Sequence, residues 1–130
     1  MVVEDDAFVL SGICSLLETV GYRVTGVTSI GEALEQLHKQ KDISLLITDF
    51  HLGNGELGTE VIRSVRSVLG REIQAFLLTG DTSTRVQIVA RDYDAFLMSK
   101  PINADEFLGL LAATREPGPS FDRVSAGSTP

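Results

Sequence analysis

The sequence predicts one α/β domain, a doubly wound parallel five-stranded sheet with helices on both faces. Short β-rich apolar runs alternate with longer segments of helical spacing, five times along the chain. Two of the runs, Leu45-Leu46-Ile47 and Phe76-Leu77-Leu78, are apolar at consecutive positions, as strands buried on both faces should be. The length of 130 residues suits one core and is short for two.

Strands are expected over residues 22–27, 43–48, 73–78 and 95–99, and residues 1–3 look like the stub of another. Between them, Val9, Leu10, Ile13, Leu16, Leu17 and Val20 recur at intervals of three and four, and Gly21 is placed to stop that helix. Ser29-Ile30-Gly31-Glu32 has capping-box spacing ahead of the apolar positions Ala33, Leu34 and Leu37. Val61, Ile62, Val65, Val68 and Leu69 form a third stripe, ended by Gly70. Residues 82–91 predict a weaker helix carrying Val86, Val89 and Ala90. Asn103 opens the last one, with Phe107, Leu108, Leu110 and Leu111 behind it. The domain is therefore expected over residues 1–113. Residues 114–130 are turn-rich and poor in apolar side chains, and read as a flexible C-terminal tail or linker with Phe121 as a local anchor.

A hydrophobic fraction of 43% with 22% charged residues is an ordinary globular balance. Acids outnumber bases 18 to 11, for a net charge of −7, and Lys and Arg form no run, which argues against nucleic-acid binding. No apolar stretch approaches the roughly 18 residues of a membrane helix, and the start has no basic-then-apolar signal segment. The single Cys14 excludes an internal disulfide and a multi-cysteine zinc site. A soluble, cytoplasmic protein without membrane contact is expected.

Functional groups of an open parallel sheet gather at the carboxyl ends of its strands. Glu4, Asp5 and Asp6 stand there after the first strand, Asp49 after the third, Thr79 after the fourth and Lys100-Pro101 after the fifth. Taken singly each is bland: an Asp after a strand usually forms a turn or caps a helix, Thr79-Gly80-Asp81 reads as a turn, and Lys100 as a solvated loop residue. Their joint occurrence is harder to dismiss. Several carboxylates on one edge repel one another unless a cation neutralises them. Hard oxygen ligands with open positions suit Mg²⁺, which keeps waters and accepts a substrate phosphate. Mg²⁺, a lysine and a hydroxyl together describe a phosphoryl site.

At these residues the chain resembles the response-regulator receiver domains of two-component signalling. The matching pieces are Val2-Val3-Glu4-Asp5-Asp6, Leu46-Ile47-Thr48-Asp49, Leu77-Leu78-Thr79-Gly80 and Ser99-Lys100-Pro101, in order and at the family's spacing. No piece is specific alone; the four together are. The resemblance implies a (βα)₅ flavodoxin-like fold of strand order 2-1-3-4-5. It implies that Asp49 accepts a phosphoryl group from the phosphohistidine of a histidine kinase or histidine phosphotransfer protein. Asp5 and Asp49 would ligate Mg²⁺, with Glu4 binding directly or through water and His51 contributing its backbone carbonyl. The Thr79 hydroxyl and the Lys100 ammonium would hold phosphoryl oxygens, and Lys100-Pro101 would be cis. The segments at 48–52 and 79–82 most resemble receivers attached to hybrid sensor histidine kinases, and a kinase activity would belong only to such a larger protein. A homodimer is left open.

Two other readings compete. A haloacid-dehalogenase-type aspartyl phosphatase needs a second acid two residues after the nucleophile, where His51 stands, and a longer chain. A pseudo-receiver, kept for protein contact alone, fits poorly with the intact Asp5, Asp49, Thr79 and Lys100. Among other residues, the His51 side chain is expected to tune hydrolysis, His38 to be a solvated helix-end residue, and Cys14 to be packed. Phe8 and Phe50 carry no assigned role. The family's aromatic three residues before the lysine is absent. Leu97 stands there, with Phe96 one residue earlier and expected on the opposite face.

Overall fold

The computed structural model describes residues 1–81 and 83–114, with only the backbone of Asn54. Five strands alternate with five helices: β1 (Val2–Val3), α1 (Ala7–Thr19), β2 (Gly26–Val27), α2 (Ile30–Lys39), β3 (Leu45–Asp49), α3 (Gly58–Leu69), β4 (Gln74–Thr79), α4 (Thr84–Asp92), β5 (Phe96–Ser99) and α5 (Ala104–Thr114). All pairings are parallel and the strand order is β2-β1-β3-β4-β5, the expected flavodoxin-like α/β arrangement. Both long central strands are buried almost end to end, which accounts for their unbroken apolar sequence.

Alternation along the strands builds two cores. Val2, Ile47 and Phe76 face α1 and α5, whose Ile13, Leu17, Phe107 and Leu111 complete one cluster. Val3, Leu46 and Leu77 face the opposite layer, where Ala33 and Leu37 of α2, Val61, Ile62 and Val65 of α3, and Ala90 of α4 are buried. Residues 76, 77 and 78 pair with 96, 97 and 98, so Phe96 and Leu97 point to opposite faces as expected. The Phe96 ring lies 5.2 Å from that of Phe76, while Leu97 packs on the other core.

The second strand is shorter than the expected 22–27. Only Gly26 and Val27 form a ladder, because their partner β1 supplies only Val2 and Val3. Upstream, the Tyr22 N–H bonds back to the Leu17 carbonyl at the end of α1, and Tyr22 and Val24 pack as loop residues against the α1–α5 side. Helix ends follow the expected chemistry with one displacement. Ser29 Oγ accepts from the Glu32 N–H, but the Glu32 carboxylate reaches back to the N–H and hydroxyl of Thr28, not to Ser29. Gly21 and Gly70 adopt φ of +94° and +70° after α1 and α3, as stops should. The fourth helix starts at Thr84, capped by Ser83; Thr82 lies outside the described residues. So does the tail from residue 115, including Phe121, while Thr114 still belongs to α5. Among the described residues no helix is long and apolar enough to cross a membrane.

Arg66 of α3 joins three elements. Its guanidinium donates to the Ile73 carbonyl at 3.1 and 2.9 Å, to Tyr93, and to Asp94 at 2.9 Å. It thereby satisfies carbonyls that α4 and its following turn leave open. Arg66→Ala should cost about 2–3 kcal/mol in urea unfolding, since carbonyls that accept from a charged donor lose it. Arg63→Ala, on the exposed side of the same helix, should stay within about 0.5 kcal/mol.

Candidate functional site

Sheet register brings the site together. One step beyond the Val3–Thr48 pair stand Glu4 and Asp49, and Asp49 is level with Leu78 of β4. Backbone bonds continue past the strand ends: Glu4 N–H to the Val27 carbonyl (3.0 Å), Phe50 N–H to Leu78 (2.8 Å) and Lys100 N–H to Thr79 (2.8 Å). The cis Lys100–Pro101 peptide follows directly. The side chains of four separate segments are thus presented at one edge.

Lys100 Nζ donates to Asp49 Oδ2 at 2.9 Å and to Glu4 Oε1 at 3.1 Å. Glu4 is 1% exposed and Asp49 7%; Asp5 is exposed. Carboxylate oxygens of Glu4, Asp5 and Asp49 lie within 4.8 Å of one another. With all four groups charged, three carboxylates and one ammonium sum to a formal −2, which a bound cation would offset. The all-oxygen donor set suits a hard cation, and the acidic site is able to bind a metal ion.

Protonation follows from these contacts. Burial pushes the Glu4 carboxyl above its ordinary 4.5; the Asp6 N–H (3.1 Å) and Lys100 pull back only part of the way, and the charge of Asp49 adds to the rise. Burial by itself would lower the Lys100 ammonium, but its bonds to Asp49 and Glu4 outweigh that, and its pKa stands above the ordinary 10.5. Lys100 is therefore a fixed positive charge at neutral pH.

The pattern and the geometry coincide with a known family: the response regulator receiver domain matches residues 1–112. The chain belongs to that family. Among solved structures, it is similar to a CheY-like receiver domain protein from Methanospirillum hungatei JF-1, with 24% identity and TM-score 0.73 over 86% of this chain and 88% of that one. Chemotaxis protein CheY4 of Vibrio cholerae matches at 23% identity and TM-score 0.76, over 86% and 93%. A response regulator protein from Burkholderia pseudomallei, solved with a phosphorylated aspartic acid, calcium ion and citrate, matches at 26% and 0.70, over 83% and 62%. A comparison with curated proteins gives no match.

Within this receiver domain, Glu4, Asp5, Asp49 and Lys100 come together as the sequence suggests. Thr79 is buried, and its Oγ1 accepts from the Asp81 N–H at 3.0 Å. That bond uses a lone pair and leaves the hydroxyl proton to donate. His51 has an exposed side chain whose ring lies 4.9 Å from that of Phe50, tilted by 34°, and its backbone bridges to Leu57. Asp6 takes the bland role, capping α1 through Oδ1 to the N–H groups of Phe8 and Val9. His38 is exposed, as expected. Cys14 is half-buried against the α1–α5 core, and burial raises its thiol pKa.

Sequence reading passes over Gly58. A Cβ there would meet the Asp49 carbonyl oxygen at 2.3 Å, and its N–H bonds the Phe50 carbonyl at 2.7 Å. Only a glycine lets α3 begin this close to the end of β3. The signal was present, a glycine nine residues after Asp49, but a loop glycine looks like any other turn residue.

Glu4→Gln gives the pH test. A folded-state carboxyl raised above 4.5 binds protons that the unfolded chain has released, so the parent loses stability as pH rises from 4.5 through the folded value. Without divalent cations, Glu4→Gln should be more stable than the parent at pH 8, with the gap closing towards pH 4.5 in urea titrations. A gap that is constant with pH, or a less stable variant, contradicts the burial account.

Proposed function

We propose that this chain is the phosphoaccepting receiver of a phosphorelay, taking a phosphoryl group from a phosphohistidine onto Asp49. The observation that carries this is the Lys100 ammonium bonded to both Asp49 and Glu4 inside a cluster of three carboxylates. The phosphorylated aspartic acid of the Burkholderia protein supports it by analogy.

An Asp49 oxygen attacks phosphorus as the bond to the donor imidazole nitrogen breaks, and the imidazole leaves with its electron pair. A carboxylate is a weak nucleophile, so placement in line and neutralisation of equatorial charge do the work. Lys100 pairs with one phosphoryl oxygen, and the Thr79 proton, left free by the Asp81 bond, donates to another. Bound Mg²⁺ would supply hard positive charge to the same oxygens, held by Glu4, Asp5, Asp49 and the His51 carbonyl. Hydrolysis of the acyl phosphate resets the domain.

The donor must cover this edge. Beside Lys100 a largely apolar groove of about 440 Å³ runs between α1 and the start of α5, with Val9, Ile13, Leu16, Pro101 and Ile102 along it. It supports docking of a histidine kinase or histidine phosphotransfer protein. Resemblance at residues 48–52 supports an origin in a hybrid histidine kinase, and the acidic composition a cytoplasmic location. Because Leu97 lacks a ring and Phe96 faces the other way, the output runs through Thr79 and the loop after it.

Incubation with acetyl phosphate and Mg²⁺ should add one phosphate to the intact mass, decaying over minutes or longer, and Asp49→Asn should take up none. Catalytic turnover without a covalent species would indicate a phosphatase, and no uptake a pseudo-receiver. With beryllofluoride and Mg²⁺, amide NMR shifts should be large at Gly80, Asp81 and Ser83 and small at Phe96 and Leu97; the reverse pattern contradicts the output route.

A further inference from the structure

The loop between β3 and α3 holds a second glycine whose reason is not its backbone. Gly53 opens a short 3₁₀ turn, Gly53–Gly55. Its φ lies outside the left-handed region, whereas Gly55 has φ of +85° and open space where a Cβ would stand. Gly55 serves the turn; Gly53 could be any residue as far as the backbone goes. A Cβ on Gly53, however, would lie 2.8 Å from Asp5 Oδ2, 3.6 Å from Asp5 Cγ and 3.9 Å from Asp5 Cβ. The Asp5 carboxylate therefore points end-on into the space that the missing side chain leaves.

We propose that Gly53 is a positioning residue for the cation site: the room beside it lets the Asp5 carboxylate face Glu4 and Asp49. This rests on the reading of that cluster as the Mg²⁺ site. The backbone on either side is held. Leu52 N–H bonds the Glu56 carbonyl at 2.9 Å and His51 bridges to Leu57 across the base of the turn. On the facing segment, Glu4 N–H is bonded to Val27 and Asp6 N–H to Glu4 Oε2. What can yield is the Asp5 side chain, which is exposed and free to rotate towards water. An added methyl group at Gly53 displaces the carboxylate and leaves the fold intact.

The test measures Mg²⁺ alone, by thermal melts across its concentration, in the parent, Gly53→Ala, Asp5→Ala and the double variant. Without Mg²⁺, Gly53→Ala should melt with the parent. It should need about tenfold more Mg²⁺ for half of the stabilising shift, the usual consequence of disturbing the support of a ligand. Asp5→Ala, which has no side-chain oxygen to displace, and the double variant should respond alike, because the glycine acts through Asp5. A parent-like Mg²⁺ midpoint for Gly53→Ala overturns the proposal, whether or not its metal-free melt falls, since the glycine would then serve only the loop. So does a further tenfold loss on top of Asp5→Ala. A parent protein indifferent to Mg²⁺ fails differently: it overturns the cation site itself.

Discussion

One ammonium group holds the carboxyl edge of this sheet together. Lys100 Nζ lies within 3.1 Å of oxygens from both Glu4 and Asp49, two carboxylates almost wholly out of water. Buried like charges at this separation repel strongly, and a buried ion pair recovers its desolvation cost only with good geometry. Here burial, with a smaller addition from the charge of Asp49, outweighs the bonds to Lys100 and the Asp6 N–H, and the Glu4 pKa stays raised. The metal-free domain therefore carries a built-in destabilisation at the place where a cation and a phosphoryl group are proposed to bind. Ligands that relieve it gain affinity from the strain they remove.

Everything around that edge serves placement. The parallel ladder runs past the strand ends through Phe50 and Lys100, so Asp49, Thr79 and Lys100 are set by sheet register and not by loop conformation. Gly58 lets α3 start against the Asp49 carbonyl, and Gly53 leaves room for Asp5. At the far edge, Arg66 ties the end of α4 to the start of β4. The loop after Thr79 has no comparable clamp to a distant segment among the described residues; Asp81 and Ser83 bond within the loop, and Ser83 caps the α4 helix that follows it. That contrast makes this loop the proposed site of motion.

Much of this was legible beforehand because its signals are local. Uninterrupted apolar runs marked β3 and β4, three-and-four spacing marked α1 to α3, and strand-end acids, threonine and lysine marked the site. The signals that failed depend on partners distant in sequence. The length of β2 is limited by β1, which no property of residues 22–27 reveals. Lys100 is expected at the same edge as Glu4, but nothing local shows its direct bond to a carboxylate 96 residues away. Arg66 looks like a solvated helix residue until Ile73, Tyr93 and Asp94 turn their carbonyls towards it. Gly53 and Gly58 look like turn formers until the groups facing them are known.

The carboxylate held by Lys100 is the one proposed to carry the phosphoryl group. Borohydride reduces an acyl phosphate to an alcohol, converting a phosphorylated aspartate into homoserine. Peptide mass spectrometry after phosphorylation and reduction should find homoserine at position 49 and unmodified aspartate at positions 5 and 6. Homoserine at position 5 or 6, or a phosphate that resists reduction and maps to His51, would contradict the account.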